Sequence, residues 1–153
     1  MSADKNLKDL NIQLPEAPKP VGAYAAYKKI GKLIFISGQV SFRDTGELIK
    51  GKVGLDLTLE QGQDAAKACA INILSQIKSA CDGDLNKVKN CIKITGFVNS
   101  IDSFVEQPKI INAASDLLVK IFGEKGIHAR AAVSVNSLPL GASVEIEAIF
   151  EID

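Results

Sequence analysis

The chain has 153 residues, 46% apolar and 24% charged, the size and composition of one globular domain, which argues against a second. Eighteen Lys and Arg balance eighteen Asp and Glu for a formal net charge of zero, so no global positive field gathers phosphates and nucleic acid is not an expected partner. Cys69, Cys81 and Cys91 are odd in number, form no CxxC pair and have His128 as the only imidazole, which fits neither a disulfide framework nor a zinc site.

Residues 1–19 are polar and end near PEAPKP, whose prolines favour an extended, poorly packed leader ahead of a single domain over residues 20–153. From Val21 to Ser37, two β-rich runs flank Gly31-Lys32 and predict a hairpin. Turn chemistry at Asp44-Thr45-Gly46 precedes a short candidate strand at Glu47–Lys50. Thr58 with Gln61 is a capping-box pattern. It opens a helix whose face carries Ala66, Cys69, Ala70, Ile73, Ile77, Ala80 and Cys81 and which stops at Asp82-Gly83-Asp84.

The run VKNCIKITGFVNS predicts a strand in which Cys91, Lys93, Thr95 and Phe97 share one face. A second helix is predicted from Ser103 to Phe122, with Pro108 near its start and Gly123 as terminator. ARAAVSVNSL and SVEIEAIFEI, separated by PLGA, predict a second hairpin. The sum is an α+β sandwich: a mainly antiparallel sheet with two helices on one face. The other face carries Val, Ile and Phe with no cover, at a cost of roughly 25 cal/mol per Å² of apolar surface left wet, so self-association is expected.

No stretch approaches the roughly 20 apolar residues of a membrane span, and a cytoplasmic protein is expected. Nucleophilic pairs and phosphate loops are not supported. Cys69 and Cys81 fall on a core-facing helix side and Cys91 in a strand, where thiols are inert, and Gly51-Lys52-Val53-Gly54 lacks the spacing of a phosphate loop. Arginine is more informative. Sixteen of the eighteen basic residues are Lys, and only Arg43 and Arg130 offer the planar fork that grips a carboxylate with two bonds. Strand alternation puts Arg130 and Ala132 on one face, leaving either room for a small ligand or an ion pair to Glu147 or Glu151. In the expected hairpin Arg130 and Glu145 are roughly 20 Å apart, so serving one site requires two subunits.

GAYAAY with Tyr24, ISGQV with Ser37-Gly38-Gln39, HARAAV with Arg130, and LPLGASVEIEAIFE with Pro139, Glu145 and Glu147 together resemble the reactive-intermediate deaminase family, RidA, also called YjgF or L-PSP, over about Pro20 to Phe150. The resemblance implies a chorismate-mutase-like β-β-α-β-α-β-β fold and a homotrimer with ligand clefts between subunits. It implies hydrolysis of enamines and imines, such as 2-aminoacrylate and 2-iminopropanoate, to 2-keto acids and ammonia, with no metal or cofactor. By position, Arg130 would grip the substrate carboxylate and Glu145 would orient the attacking water, while Tyr24, Ser37, Gly38 and Asn112 would line the cleft. Ala132 stands in the cleft where the family often has a cysteine, and His128 and Ala23 stand where it commonly has proline. The leader and extra residues around Lys120–Ile127 resemble a longer-chain branch. Two further readings use the same fold: a non-catalytic trimeric metabolite-binding protein, and an endoribonuclease or translation inhibitor of the L-PSP type. Chorismate mutase activity would rest on fold analogy alone.

Overall fold

The structure, a computed structural model, describes residues 2–153. Its elements in chain order are α1 (Ala3–Asp9), β1 (Tyr27–Ile30), β2 (Leu33–Val40), α2 (Leu59–Ala80), β3 (Val88–Asn99), α3 (Gln107–Phe122), β4 (Ala129–Val135) and β5 (Val144–Ile152). The five strands form one sheet in the order β1-β2-β5-β3-β4. The first hairpin forms about Gly31-Lys32, although its first strand is only Tyr27–Ile30 and residues 21–26 are not strand; both long helices and the strand at residues 88–99 also form. Thr58 and Gln61 make the reciprocal capping box, a cap of the kind worth about 1 kcal/mol. Helix α3 starts later than expected, with Pro108 in its first turn, where its missing N–H costs nothing.

The expected second hairpin is not formed. Strand β4 pairs only with β3, in parallel, while β5 lies between β2 and β3 and is antiparallel to both. Two physical reasons account for this. The segment β3-α3-β4 is a strand-helix-strand unit, and a helical crossover returns the chain parallel to the strand it left. In β5, Val144, Ile146, Ala148, Phe150 and Ile152 are all buried, so this strand, with the largest set of buried apolar side chains, gains most from two ladders at the centre. Residues 136–143 carry the chain from β4 to β5, held by Gly51 N–H donating to the Gly141 carbonyl (3.0 Å) and Ser143 N–H to that of Ile49 (3.1 Å). The candidate strand at residues 47–50 is reduced to isolated bridges, Phe42 to Leu48 and Lys50 to Ala142. The sheet is therefore mixed.

The core lies between the sheet and the two long helices, with Ile34, Ile94, Ile146 and Phe150 facing Leu74, Ile77, Ile111 and Leu118, all fully buried. Gly96 permits close contact, since a Cβ there would lie 2.4 Å from Ile111 Cδ1. A bulge between Cys91 and Lys93 interrupts the alternation of β3. Cys91 is consequently buried with Ile94 and Val98, not on the face of Lys93, Thr95 and Phe97.

The N-terminal segment is not a loose leader. Helix α1 is capped by Ser2 and buries Ala3 and Leu7, Asn6 Nδ2 donates to the Ile121 carbonyl (2.8 Å), and Gln76 Nε2 donates to that of Pro18 (2.6 Å). Seven residues are too few to hold a helix alone; docking on α3 supplies the stability that sequence periodicity could not announce. A third helix thus joins the two expected ones. Among the described residues nothing covers the opposite sheet face: Ile30, Leu33, Phe35 and Val133 are 37–68% exposed there.

Candidate functional site

Strand β4 is an edge strand next to α3, and its alternation turns Arg130, Ala132 and Ser134 toward the helix layer. Arg130 lies opposite Ile94 of β3. From this edge the guanidinium reaches the flank of α3, where Nη1 donates to Asn112 Oδ1 (2.8 Å) and Ser115 Oγ (3.1 Å) and Nη2 to the Pro108 carbonyl (3.5 Å). Positions 108, 112 and 115 are four and three apart, which places them along one side of a helix. None of the ion pairs among the described residues includes Arg130. The alternative of a salt bridge to Glu147 or Glu151 is not realised, because both glutamates sit on β5, beyond β3 and on the opposite face. With Nη1 occupied, Nε–H and one Nη2–H remain as a pair of donors on one edge of the guanidinium, the fork that matches a carboxylate.

A second group gathers where β2 meets β5. Glu145 lies opposite Val40 on one side and Phe97 on the other, with its side chain on the uncovered face. The register jumps from Ile36–Ala148 to Gln39–Ile146, so Ser37 and Gly38 together oppose Glu147 in a bulge. Gly38 makes the space that Glu145 fills: a Cβ at Gly38 would lie 2.2 Å from Glu145 Oε1. Burial, and secondarily the neighbouring Glu147, push the Glu145 carboxyl above its ordinary range. Ser37 Oγ donates to the Ala25 carbonyl (2.6 Å), fixing the approach to β1, and Tyr24, half-exposed, joins Gly38, Val40 and Asn72 around a recess of about 90 Å³. Beside this group on the uncovered face, Lys28, Phe35, Ser37, Lys93, Thr95 and Glu147 line a hollow of about 290 Å³.

The residues singled out in the sequence thus fall into two groups. Arg130 and Asn112 are bonded, with Ala132 two positions along the same face of β4. Ser37, Gly38 and Glu145 adjoin one another elsewhere, with Tyr24 beside Gly38 in the small recess. Arg130 and Glu145 do not meet within one chain, but the reason is not the expected hairpin separation: the intervening strand β3 and opposite faces divide them. Sequence reasoning missed Ser115. The available signal was its spacing of three from Asn112 on a helix that leads into the His128-Ala129-Arg130 segment. Among the described residues, no three His, Cys, Asp or Glu side chains are grouped as a metal would need, and no helix is long and apolar enough to cross a membrane.

Residues 4–151 match the family model described as "YjgF/chorismate_mutase-like, putative endoribonuclease". Protein TCP17 of Trypanosoma cruzi is 45% identical over 149 residues, 97% of this chain and 92% of that protein. The 2-iminobutanoate/2-iminopropanoate deaminase of Mus musculus is 30% identical over 139 residues, covering 90% of this chain and 87% of its own. Among solved structures, protein Atu1372 of Agrobacterium tumefaciens superposes with a TM-score of 0.90 at 44% identity, over 99% of this chain and 94% of that one.

Proposed function

The chain belongs to the YjgF/chorismate-mutase-like family, also called RidA, and on that premise we propose that it hydrolyses reactive 2-imino acids to 2-keto acids and ammonia, in clefts between the subunits of a homotrimer. The observation that carries this reading is Arg130: a guanidinium anchored to α3 through Nη1 and, more weakly, one Nη2–H, with no acidic partner among the described residues and a remaining donor pair. An anchored fork of this kind fixes a small carboxylate in one orientation. A relative bearing the imine deaminase name supplies the reaction class.

In this mechanism Arg130 of one subunit holds the carboxylate of the imine, and Glu145 of a neighbour faces the imine carbon. Glu145 takes a proton from a water as its oxygen bonds to C2 and the C=N π electrons move to nitrogen. Glu145 passes that proton to the nitrogen, giving the neutral carbinolamine, which then collapses: Glu145 takes the hydroxyl proton as C2 becomes the ketone carbonyl, the C–N bond breaks, and this second proton goes to the nitrogen, which departs as ammonia. A carboxyl that burial raises above its ordinary range gives up its proton less readily than a free one, which suits its turn as proton donor. The Gly38 bulge holds it in place. Burying Ile30, Leu33, Phe35 and Val133 between subunits supplies the driving force for assembly.

The test is release of ammonia and keto acid from freshly generated 2-aminoacrylate, which tautomerises to 2-iminopropanoate, with and without the protein. Acceleration supports the reading. Binding of the keto acid without acceleration points to the metabolite-binding alternative, and cleavage of RNA by the same preparation points to the nuclease one.

A further inference from the structure

The donor set around Ser115 extends beyond Arg130. Ser115 Oγ lies 2.9 Å from His128 Nε2, and His128 Nδ1 lies 2.6 Å from the Gly126 carbonyl oxygen. A carbonyl has no proton to give, so Nδ1 carries the hydrogen; in the neutral ring Nε2 is then an acceptor. The direction of the whole chain follows. Gly126 accepts from Nδ1–H, Nε2 accepts from the Ser115 hydroxyl, and the committed hydroxyl turns a lone pair to Arg130 Nη1 (3.1 Å).

We infer that His128, acting through Ser115, is a positioning residue for Arg130: the pair sets the direction of the Ser115 hydroxyl so that Nη1 is bound at the α3 end and the other edge of the guanidinium is presented to a carboxylate ligand. This rests on the reading of Arg130 as the carboxylate grip. Three links connect elements of different origin, namely the turn at Gly123–Gly126, the flank of α3 and the start of β4. Asn112 anchors the same nitrogen from the exposed side. Without the imidazole acceptor, the Ser115 hydroxyl is free to rotate and offer its hydrogen toward the guanidinium instead of its lone pair, a repulsive arrangement that loosens the fork.

The experiment combines His128→Phe, Ser115→Ala and Ser115→Thr with two readouts. The first is the affinity for pyruvate, the product-like 2-keto acid, by calorimetry, and KM against kcat for 2-iminopropanoate. Loss of a neutral hydrogen bond predicts a several-fold, at most about tenfold, weakening of affinity and rise in KM. The kcat should change less, His128→Phe and Ser115→Ala should not add in the double variant, and Ser115→Thr should restore most of the affinity. Unchanged affinity and KM in both single variants, in protein that retains its fold, would overturn the inference. The second readout needs no ligand. His128 is the only histidine, so long-range ¹H–¹⁵N spectra read its tautomer without ambiguity: protonated Nδ1 and accepting Nε2 in the neutral ring are expected, and the reverse tautomer contradicts the chain. Should wild type neither bind pyruvate nor hydrolyse the imine, the proposed function fails. The Arg130 Nε–H resonance then decides the inference: broadening or a shift in both variants upholds positioning, and an unchanged resonance refutes it.

Discussion

Arg130 and Glu145 stand on opposite faces of one sheet, two strands apart, with β3 partners Ile94 and Phe97 three positions out of step. At about 3.3 Å per residue and 4.8 Å between strands, their backbones are roughly 14 Å apart. Neither side chain can cross the sheet, so a reaction that uses both requires residues from two copies of the chain.

The Arg130 fork predicts a selective loss. Arg130→Lys keeps the charge but supplies no pair of parallel donors, and a charge-assisted bond contributes about 1.5–3 kcal/mol. The kcat/KM for 2-iminopropanoate should fall on the order of tenfold to several hundredfold. Arg43→Lys is the control: Arg43 is exposed and only 4.0 Å from Glu47, a surface pair that contributes little. Equal rates for wild type and Arg130→Lys in steady-state assays would return Arg130 to a structural role.

Gly38→Ala tests whether the bulge positions Glu145. Gly38 does not require the left-handed backbone that only glycine tolerates, and the obstacle to a side chain is the tip of Glu145, 2.2 Å from the new Cβ. That tip can move, so the variant should fold with a melting temperature close to wild type. Displacing the carboxylate by an ångström should cost about tenfold or more in kcat. Full activity would show that the placement of Glu145 is immaterial.

Glu145 also predicts a pH dependence of stability. Burial, then Glu147, raises its carboxyl above the ordinary range, so over that window the folded chain keeps a proton that the unfolded chain has lost. Stability therefore falls as pH rises through the window, and the unfavourable contribution vanishes below it. Glu145→Gln removes this dependence. Thermal melts should find the variant more stable than wild type at neutral pH, with the gap closing as pH is lowered through the ordinary glutamate range; parallel curves would contradict the burial of a charged Glu145.

The cysteines should be silent. All three are buried; burial raises the thiols of Cys69 and Cys81 and pushes that of Cys91 up to about 12, leaving little thiolate to react. A disulfide reagent at pH 8 should label none of them in the native protein and all three after denaturation. Rapid native labelling of any one, with loss of turnover, would require a different mechanism.

Much of this architecture is legible in the sequence, and the exceptions have physical causes. Local signals locate Thr58 at its cap, the Asp82-Gly83 stop and the Gly31-Lys32 hairpin, because each depends on residues a few positions apart. The place of β5 depends on a competition between strands for the centre of the sheet. PLGA between two alternating runs looks like a hairpin turn whichever strand wins that competition. The order strand-helix-strand around α3 did carry the correct parallel pairing of β3 and β4. Arg130 stands out in the sequence because arginine is scarce. Its partner Ser115 does not, since a serine inside a helix announces nothing until the strand beside it is placed. Helix α1 is similarly silent, being stabilised by α3 and not by its own seven residues.

Subunit mixing tests the two-copy site most directly. Arg130→Lys and Glu145→Gln chains are denatured together in equal amounts and refolded, and the assemblies, three 16.3 kDa chains if the proposed homotrimer forms, are isolated by light-scattering-monitored gel filtration. If each cleft takes Arg130 from one subunit and Glu145 from the next, random assembly gives about a quarter of the clefts both native residues. Hydrolysis of 2-iminopropanoate should then rise well above that of either parent, toward about a quarter of the wild-type rate. Mixed trimers no more active than the average of their parents, alongside wild type that regains full activity through the same refolding, would contradict a site shared between subunits.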